Sequence, residues 1–193
     1  IAHTIKDAIL SELGFTVNVG IAPNKLLAKM ASDFEKPNRV HTLFADEIPQ
    51  KLWPLPVGEL YSVGRATASK LTASQIRTIG DLAKTDLSRV QKLVGIKMGK
   101  LICDYANGID SSPVLAEPEA VTGYGNSGTL EAEGTDTAQA NKILLALCDS
   151  VASRMRADGR SCSCVTVTIR GNDFRNKSHQ RKLLEPTDVT AEV

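Results

Sequence analysis

The sequence predicts an α+β, multi-domain chain: a helical middle flanked on both sides by mixed helix and strand. Three observations predict it. Val17 and Val19 alternate with Thr16 and Asn18 up to Gly20, and a helical stripe follows at once, so a strand turns directly into a helix. Between Ile109 and Thr122 the composition shifts to Asp-Ser-Ser-Pro-Val-Leu-Ala-Glu-Pro-Glu, extended and without periodicity, which reads as a linker. Beyond it, Cys162 to Arg170 alternates cleanly, with Val165, Val167 and Ile169 on one face of a strand and Cys164, Thr166, Thr168 and Arg170 on the other.

At 193 residues and 42% hydrophobic content, the chain has room for one large domain or two to three small ones with real cores. No apolar run approaches bilayer length and Lys6 and Asp7 interrupt the first stretch, so the expectation is a cytoplasmic protein with no membrane partner. Cys103, Cys148, Cys162 and Cys164 lack paired C-x-x-C spacing and read as reduced thiols; a metal site on Cys162 and Cys164 would need further Cys or His nearby.

Taken in order, Ile1, Ile5, Ile9 and Leu13 recur every fourth residue before Gly14, an amphipathic helix with a glycine stop. A domain that begins with a helix under way carries the expectation of further sequence upstream. Phe15, Val17 and Val19 give the strand, and Pro23-Asn24 opens a helix with Leu27, Met30, Ala31 and Phe34 on its apolar side. Lys25 and Lys29 lie one turn apart on another face, and Lys36-Pro37 ends the element. Val40 and Leu43 fit a short strand and Asp46 to Leu52 a short helix. Trp53-Pro54-Leu55-Pro56 then breaks regular structure, with Trp53 the packing anchor of a domain junction.

Leu60-Tyr61-Ser62-Val63-Gly64-Arg65, continued by Lys70-Leu71 and Ile76-Arg77-Thr78-Ile79-Gly80-Asp81-Leu82, resembles a helix-hairpin-helix unit. Gly64 would permit a tight turn that presents backbone N–H groups to a DNA phosphate, with Arg65 and Lys70 adding charge. Gln75 stands where such units usually carry glycine. Leu93 to Lys100 gives a second glycine hairpin at Gly95, with Lys97, leading into a helix whose apolar side is Leu101, Ile102 and Tyr105 and whose stop is Asn107-Gly108. Here a DNA contact and a turn that merely closes the helical bundle are equally good readings.

After the linker, Gly123 to Leu130 reads as a strand. Thr135-Asp136 with Gln139 resembles a capping box, and Ala140, Ile143, Leu147, Val151 and Met155 form a helical face that ends before Gly159. Thr168 and Arg170 on the polar face of the next strand, Ser178, His179, Gln180, Arg181 and Lys182 on the strand after it, and Asn126, Ser127 and Thr129 on the first would suit phosphates along a groove. Pro186-Thr187-Asp188 looks like the cap of one more helix.

The net charge of +1 hides a distribution. Arg65 to Lys100 holds eight Lys or Arg against Asp81 and Asp86, and Arg154 to Lys182 holds eight against Asp158 and Asp173. Charge alone does not separate a nucleic-acid surface from ordinary solvated faces.

The stretch Gly20-Ile21-Ala22-x-Asn24-Lys25-x-Leu27-Ala28-Lys29-x-Ala31-Ser32-x-x-x-Lys36-Pro37 resembles the palm signature of the Y-family, or lesion-bypass, DNA polymerases. It departs from the family at Asn18, often serine, and at Arg39, often glycine. The resemblance implies a partial palm (1–53), a helical helix-hairpin-helix thumb (54–110), a linker (111–122) and a partial little-finger α/β sandwich (123–193), with the chain truncated at both ends. It implies part of a DNA-directed DNA polymerase for translesion synthesis, acting as a monomer on primer-template DNA and a deoxynucleoside triphosphate, with a sliding clamp left open as a partner of the intact protein. Lys36 would bind the triphosphate. Val63, Gly64, Arg65, Lys70, Gly95, Lys97, Asn126, Ser127, Thr129, Arg170, Ser178, His179 and Arg181 would grip DNA, while Gly20, Asn24, Lys25, Lys29 and Pro37 shape the motif.

In the family the carboxylates that bind Mg2+ precede this region. Asp7, Glu12, Asp33 and Glu35 match none of them, so no catalytic or metal residue is assigned and this chain alone is expected to be inactive. The alternative is a non-catalytic DNA-binding paralogue or accessory subunit of the same family. An unrelated helix-hairpin-helix repair protein would require the palm signature to be coincidence.

Overall fold

The computed structural model describes residues 1–117, 120–130 and 137–193, in two compact units, Ile1–Ala116 and Glu117–Val193. In the first, α1 (Ala2–Leu13) stops where Gly14 takes a left-handed φ of 71° and donates its N–H to the Leu10 carbonyl. None of the helix is buried, and Ile5, Leu10 and Leu13 stay exposed in spite of the amphipathic pattern.

β1 (Val19–Ile21) pairs in parallel with β2 (Val40–Thr42), and α2 (Lys25–Asp33) joins them. The paired strand starts later than the alternation from Phe15 predicts, because β2 offers partners only for Val19 to Ile21. A Cβ on Gly20 would lie 1.9 Å from the Ala28 carbonyl oxygen, so glycine lets α2 sit directly on the strand. Leu26, Leu27, Met30 and Ala31 are buried beneath it.

The short helix expected at Asp46 to Leu52 is instead a 3-10 turn (Ala45–Glu47) running into a π turn (Ile48–Leu52). Glu47 sets this geometry by accepting hydrogen bonds from Thr42 Oγ1 at 3.0 Å and from the Phe44 N–H at 2.7 Å. Trp53 is a packing anchor: its Nε1 donates to the Ala106 carbonyl at 3.0 Å, Lys84 Nζ lies 5.2 Å from the ring centroid, and Gly80 packs against its Cβ.

α3 (Arg65–Ala73), α4 (Ile79–Lys84), α5 (Leu87–Val94) and α6 (Ile96–Ala106) complete the unit. One core runs from Leu26 and Leu27 through Leu43, Leu52, Leu71, Ile79, Leu82 and Val90 to Ile102. α6 ends at Asn107, and Gly108, at φ 72°, fits against Ile48 so closely that a Cβ would meet Ile48 Cδ1 at 2.4 Å.

In the second unit, α7 (Thr137–Ala157) ends in a turn where Gly159 takes φ 62° and Arg160 donates its N–H to the Met155 carbonyl. β3 (Cys162–Arg170) and β4 (Asn176–Thr187) form an antiparallel hairpin. Residues 120–130 form no strand, contrary to the reading of Gly123 to Leu130. Their polar groups are held from α7 and the turn beyond it: Arg154 donates to the Gly125 carbonyl at 2.7 Å and the Tyr124 hydroxyl to Asp158 at 2.7 Å. The capping box at Thr135-Asp136 lies outside the described residues. Pro186 and Thr187 belong to β4 rather than to a helix cap, although Thr187 Oγ1 does accept the Val189 N–H at 3.2 Å and starts the final turn.

Candidate nucleotide and nucleic-acid surfaces

Lys36 stands three residues beyond the end of α2, at a cleft of about 420 Å³ lined by Thr16, Asn18, Lys29, Ser32, Asp33, Lys36 and Pro37. The peptide bond between Lys36 and Pro37 is cis. Asp33 Oδ1 pairs with Lys36 Nζ at 2.8 Å, and Asp33 Oδ2 accepts from Lys29 Nζ. Those hydrogen bonds, from Lys29 first and Lys36 second, hold the Asp33 carboxyl below its ordinary value. Arg39, the departure from the family pattern, pairs with Glu35 at 3.0 Å, and its N–H donates to Asn18 Oδ1.

The opposite end of α2 is fastened over a long sequence distance. Asn24 Oδ1 accepts the Leu27 N–H at 2.8 Å, capping the helix, while Asn24 Nδ2 donates to the Gly108 carbonyl at 2.9 Å. Asp110 Oδ2 accepts the Leu26 N–H at 3.1 Å and Lys25 Nζ reaches the Pro113 carbonyl at 3.3 Å. Asp110 was not singled out by the sequence; the only local signal is that it closes the Asn107-Gly108-Ile109-Asp110 stop.

The helix starts in this unit differ in what meets their free N–H groups. At α2 they meet Asn24 and Asp110, and at α4 a Thr78–Asp81 capping box. α3 and α6 begin at Gly64 and Gly95 with no side-chain cap, as do α1 at Ile1 and α5 at Asp86, but only α3 and α6 start at glycine. Gly95 needs to be glycine, with φ 95° and ψ 157°. Gly64 follows a tight turn closed by the Val63 N–H on the Leu60 carbonyl; its own φ is −80°, and Ser62 carries the positive φ of 74°. A Cβ on Gly64 would meet nothing within 4 Å, so its bare backbone is accessible from outside the chain.

Val63 is buried and spends its N–H on the Leu60 carbonyl at 2.9 Å, which leaves Gly64 and Arg65 as the exposed part of that hairpin. Lys70 and Lys97 are exposed on α3 and α6. Gln75, like Ser62, takes a left-handed φ, 67°, so the position keeps the geometry glycine would give at a cost to a side-chain-bearing residue.

On the hairpin of the second unit, the register sorts the expected residues onto two faces. Thr168 pairs with Ser178 and Arg170 with Asn176, joined by hydrogen bonds of 2.7 Å between hydroxyls and 2.9 Å from Arg170 Nε to Asn176 Oδ1. Thr166 Oγ1 donates to Gln180 Oε1 at 3.3 Å on the same face. His179 and Arg181 oppose Val167 and Val165 and therefore point to the other face, away from Arg170 and Ser178. Asn126, Ser127 and Thr129 are exposed but lie on no strand.

Among the described residues no group of three or more His, Cys, Asp or Glu side chains converges as metal ligands would. No described residue is therefore assigned to Mg2+. No helix among the described residues is long and apolar enough to cross a membrane.

Three family models match the sequence: the impB/mucB/samB family at residues 1–33, the thumb domain of DNA polymerase-iota at 58–110, and the impB/mucB/samB family C-terminal domain at 122–193. The DNA polymerase IV of Clostridium acetobutylicum is 44% identical over 192 residues, covering 100% of this chain and 48% of the relative. The chain belongs to the Y-family DNA polymerases. DNA polymerase IV 1 of Halalkalibacterium halodurans is 41% identical over 96% of this chain and 45% of its own length. The chain thus spans about half the length of the curated relatives it matches. A solved Y-family DNA polymerase chimera shares the fold, with a TM-score of 0.81 over 95% of this chain and 52% of that one at 24% identity.

Proposed function

We propose that this chain is the part of a translesion DNA polymerase that contributes one wall of the triphosphate site and much of the grip on primer-template DNA. The observation that carries the reading is the identity of 44% with a DNA polymerase IV across the whole chain. In this reading residues 1–53 are the C-terminal part of the palm, 54–110 the thumb, 111–122 the linker and 123–193 the little finger.

Lys36 is the triphosphate-side residue. Its compact ammonium group stabilises negative charge that develops on the leaving pyrophosphate, a role that needs position more than covalent chemistry. Support comes from its exposure beside the cleft at the end of α2. The uncapped starts of α3 and α6 offer backbone N–H groups to phosphates, with Arg65, Lys70 and Lys97 adding charge. Thr168, Arg170 and Ser178 form a second polar surface for the backbone, and His179 and Arg181 would act from the opposite face.

The test is primer-template binding by fluorescence anisotropy across a salt series. Affinity should fall with a log–log slope steeper than about −2, since several phosphates are neutralised; a flat profile would sink the DNA reading. With Mg2+ and nucleotides the chain by itself should not extend a primer, and extension in a clean preparation would contradict the reading that the metal-binding carboxylates lie outside this chain.

A further inference from the structure

Asp33 is the last residue of α2, where a carboxylate faces the negative end of the helix dipole. Helix stability does not explain an acid there; a lysine would serve better. What the carboxylate does instead is divide its oxygens between two ammonium groups, Oδ2 to Lys29 and Oδ1 to Lys36 at 2.8 Å. All three side chains are well exposed and line the same cleft. Two further polar side chains beside them are engaged elsewhere. The Ser32 hydroxyl donates to the Lys29 carbonyl at 2.7 Å, and Arg39 is turned to Glu35. The cations left facing the cleft are therefore Lys29 and Lys36, brought together by one shared anion.

We propose that Lys29 and Lys36 form a two-ammonium site for phosphate oxygens of a polyphosphate, and that Asp33 is its resident counter-ion, displaced when the ligand arrives. The proposal rests on the reading of Lys36 as a triphosphate-side residue and adds a second cation and a competitor to it. Ion pairs this exposed are weak in water, so exchanging a single carboxylate for the higher charge of a polyphosphate is favourable. The same carboxylate disfavours weaker anions, because a single phosphate gains less in replacing it. Hydrogen bonds from Lys29 and Lys36 hold the Asp33 carboxyl below its ordinary value, so the counter-ion is present at neutral pH.

The experiment is an NMR titration of the 193-residue chain with inorganic tripolyphosphate, with inorganic phosphate as comparison, reading the amides of residues 29–39 and the lysine side-chain signals. The wild-type chain should show saturable shifts with tripolyphosphate. Lys36→Ala and Lys29→Ala should each weaken binding about threefold or more, and Asp33→Asn should tighten it by a similar factor while narrowing the preference over inorganic phosphate. If Lys36→Ala weakens binding but Lys29→Ala leaves it unchanged, or Asp33→Asn weakens it, this inference is overturned and the Lys36 reading stands. If Lys36→Ala has no effect, or the wild-type chain shows no saturable shift, both fall. Unchanged amide spectra away from the cleft would show that each variant keeps its fold, which the exposure of all three side chains leads one to expect.

Discussion

The two units differ in how much apolar surface they enclose. Among the described residues, seventeen buried hydrophobic side chains of Ile1–Ala116 form one continuous cluster from Leu26 to Ala106, whereas Ala152 and Met155 are the buried ones of Glu117–Val193. The second unit instead surrounds a cavity of about 500 Å³ lined by Leu144, Leu147, Val151 and Met155 of α7 and by Val165 and Val167 of β3. Periodicity alone does not make a core. α7 and β3 carry apolar stripes too, yet a stripe stabilises a fold only to the extent that something covers it. The thumb-like helices cover one another; the helix and hairpin leave a gap.

The largest test of this contrast is Leu82→Ala, at a fully buried site, which should cost the first unit about 3–5 kcal/mol. Trp53, the one tryptophan of the chain, lies in that unit and reports its unfolding by fluorescence in urea. Met155→Ala, in the second unit, should cost only about 2 kcal/mol, because its surroundings already border a void. Amide exchange on α7 and β3 should register the second variant and ignore the first. Equal loss of protection in both units from Leu82→Ala would break the comparison and make the chain one cooperative body.

A smaller effect is expected from Asp110→Ala, which removes a carboxylate from the start of α2 and should lower the first unit's stability by about 1 kcal/mol. The N–H and hydroxyl of Ser112, then the Leu26 N–H, hold the Asp110 carboxyl below its ordinary 3.8. The folded value is depressed, so the stabilisation is present above the unfolded value and is lost as pH falls through the folded one. The gap between variant and wild type in urea midpoint should therefore be full at pH 7 and close below about pH 4. A gap that persists in acid would show that packing, not charge, fastens α2.

The smallest change should have the opposite sign. Gln75→Gly relieves a left-handed φ of 67° and should stabilise the first unit by about 0.5–1 kcal/mol, the strain relieved minus the extra chain entropy of glycine. Thermal unfolding followed at Trp53 would read it, and a loss of stability would mean that the Gln75 side chain has a role beyond its contact with Arg77.

What the sequence made legible was what short-range physics writes down. Asn24 as the opening of α2, the stops at Gly14 and Gly108, the stripe of Leu27, Met30 and Ala31, and the alternation in β3 depend on residues at most four apart, and each reappears in the structure, although Ile169 at the end of the β3 stripe stays exposed. The palm signature carried the family, since it is long and gapless. Which residue of the hairpin carries the left-handed backbone was not legible, because several conformations suit a Ser-Val-Gly run and only the dihedral places it at Ser62 and not at Gly64.

By itself, then, the sequence determined the family and the main helices and strands in their order, but not the strand read at Gly123 to Leu130, the helix at Asp46 to Leu52 or the cap at Pro186. Tertiary structure decided which residues meet. That Asn24 donates to Gly108 across 84 positions depends on where α6 ends in space, and no local pattern encodes it. That Arg170 and Ser178 share a face while His179 and Arg181 take the other depends on which residues of β4 stand opposite β3. The length of the hairpin turn sets that register, and a slip of one residue would exchange the faces.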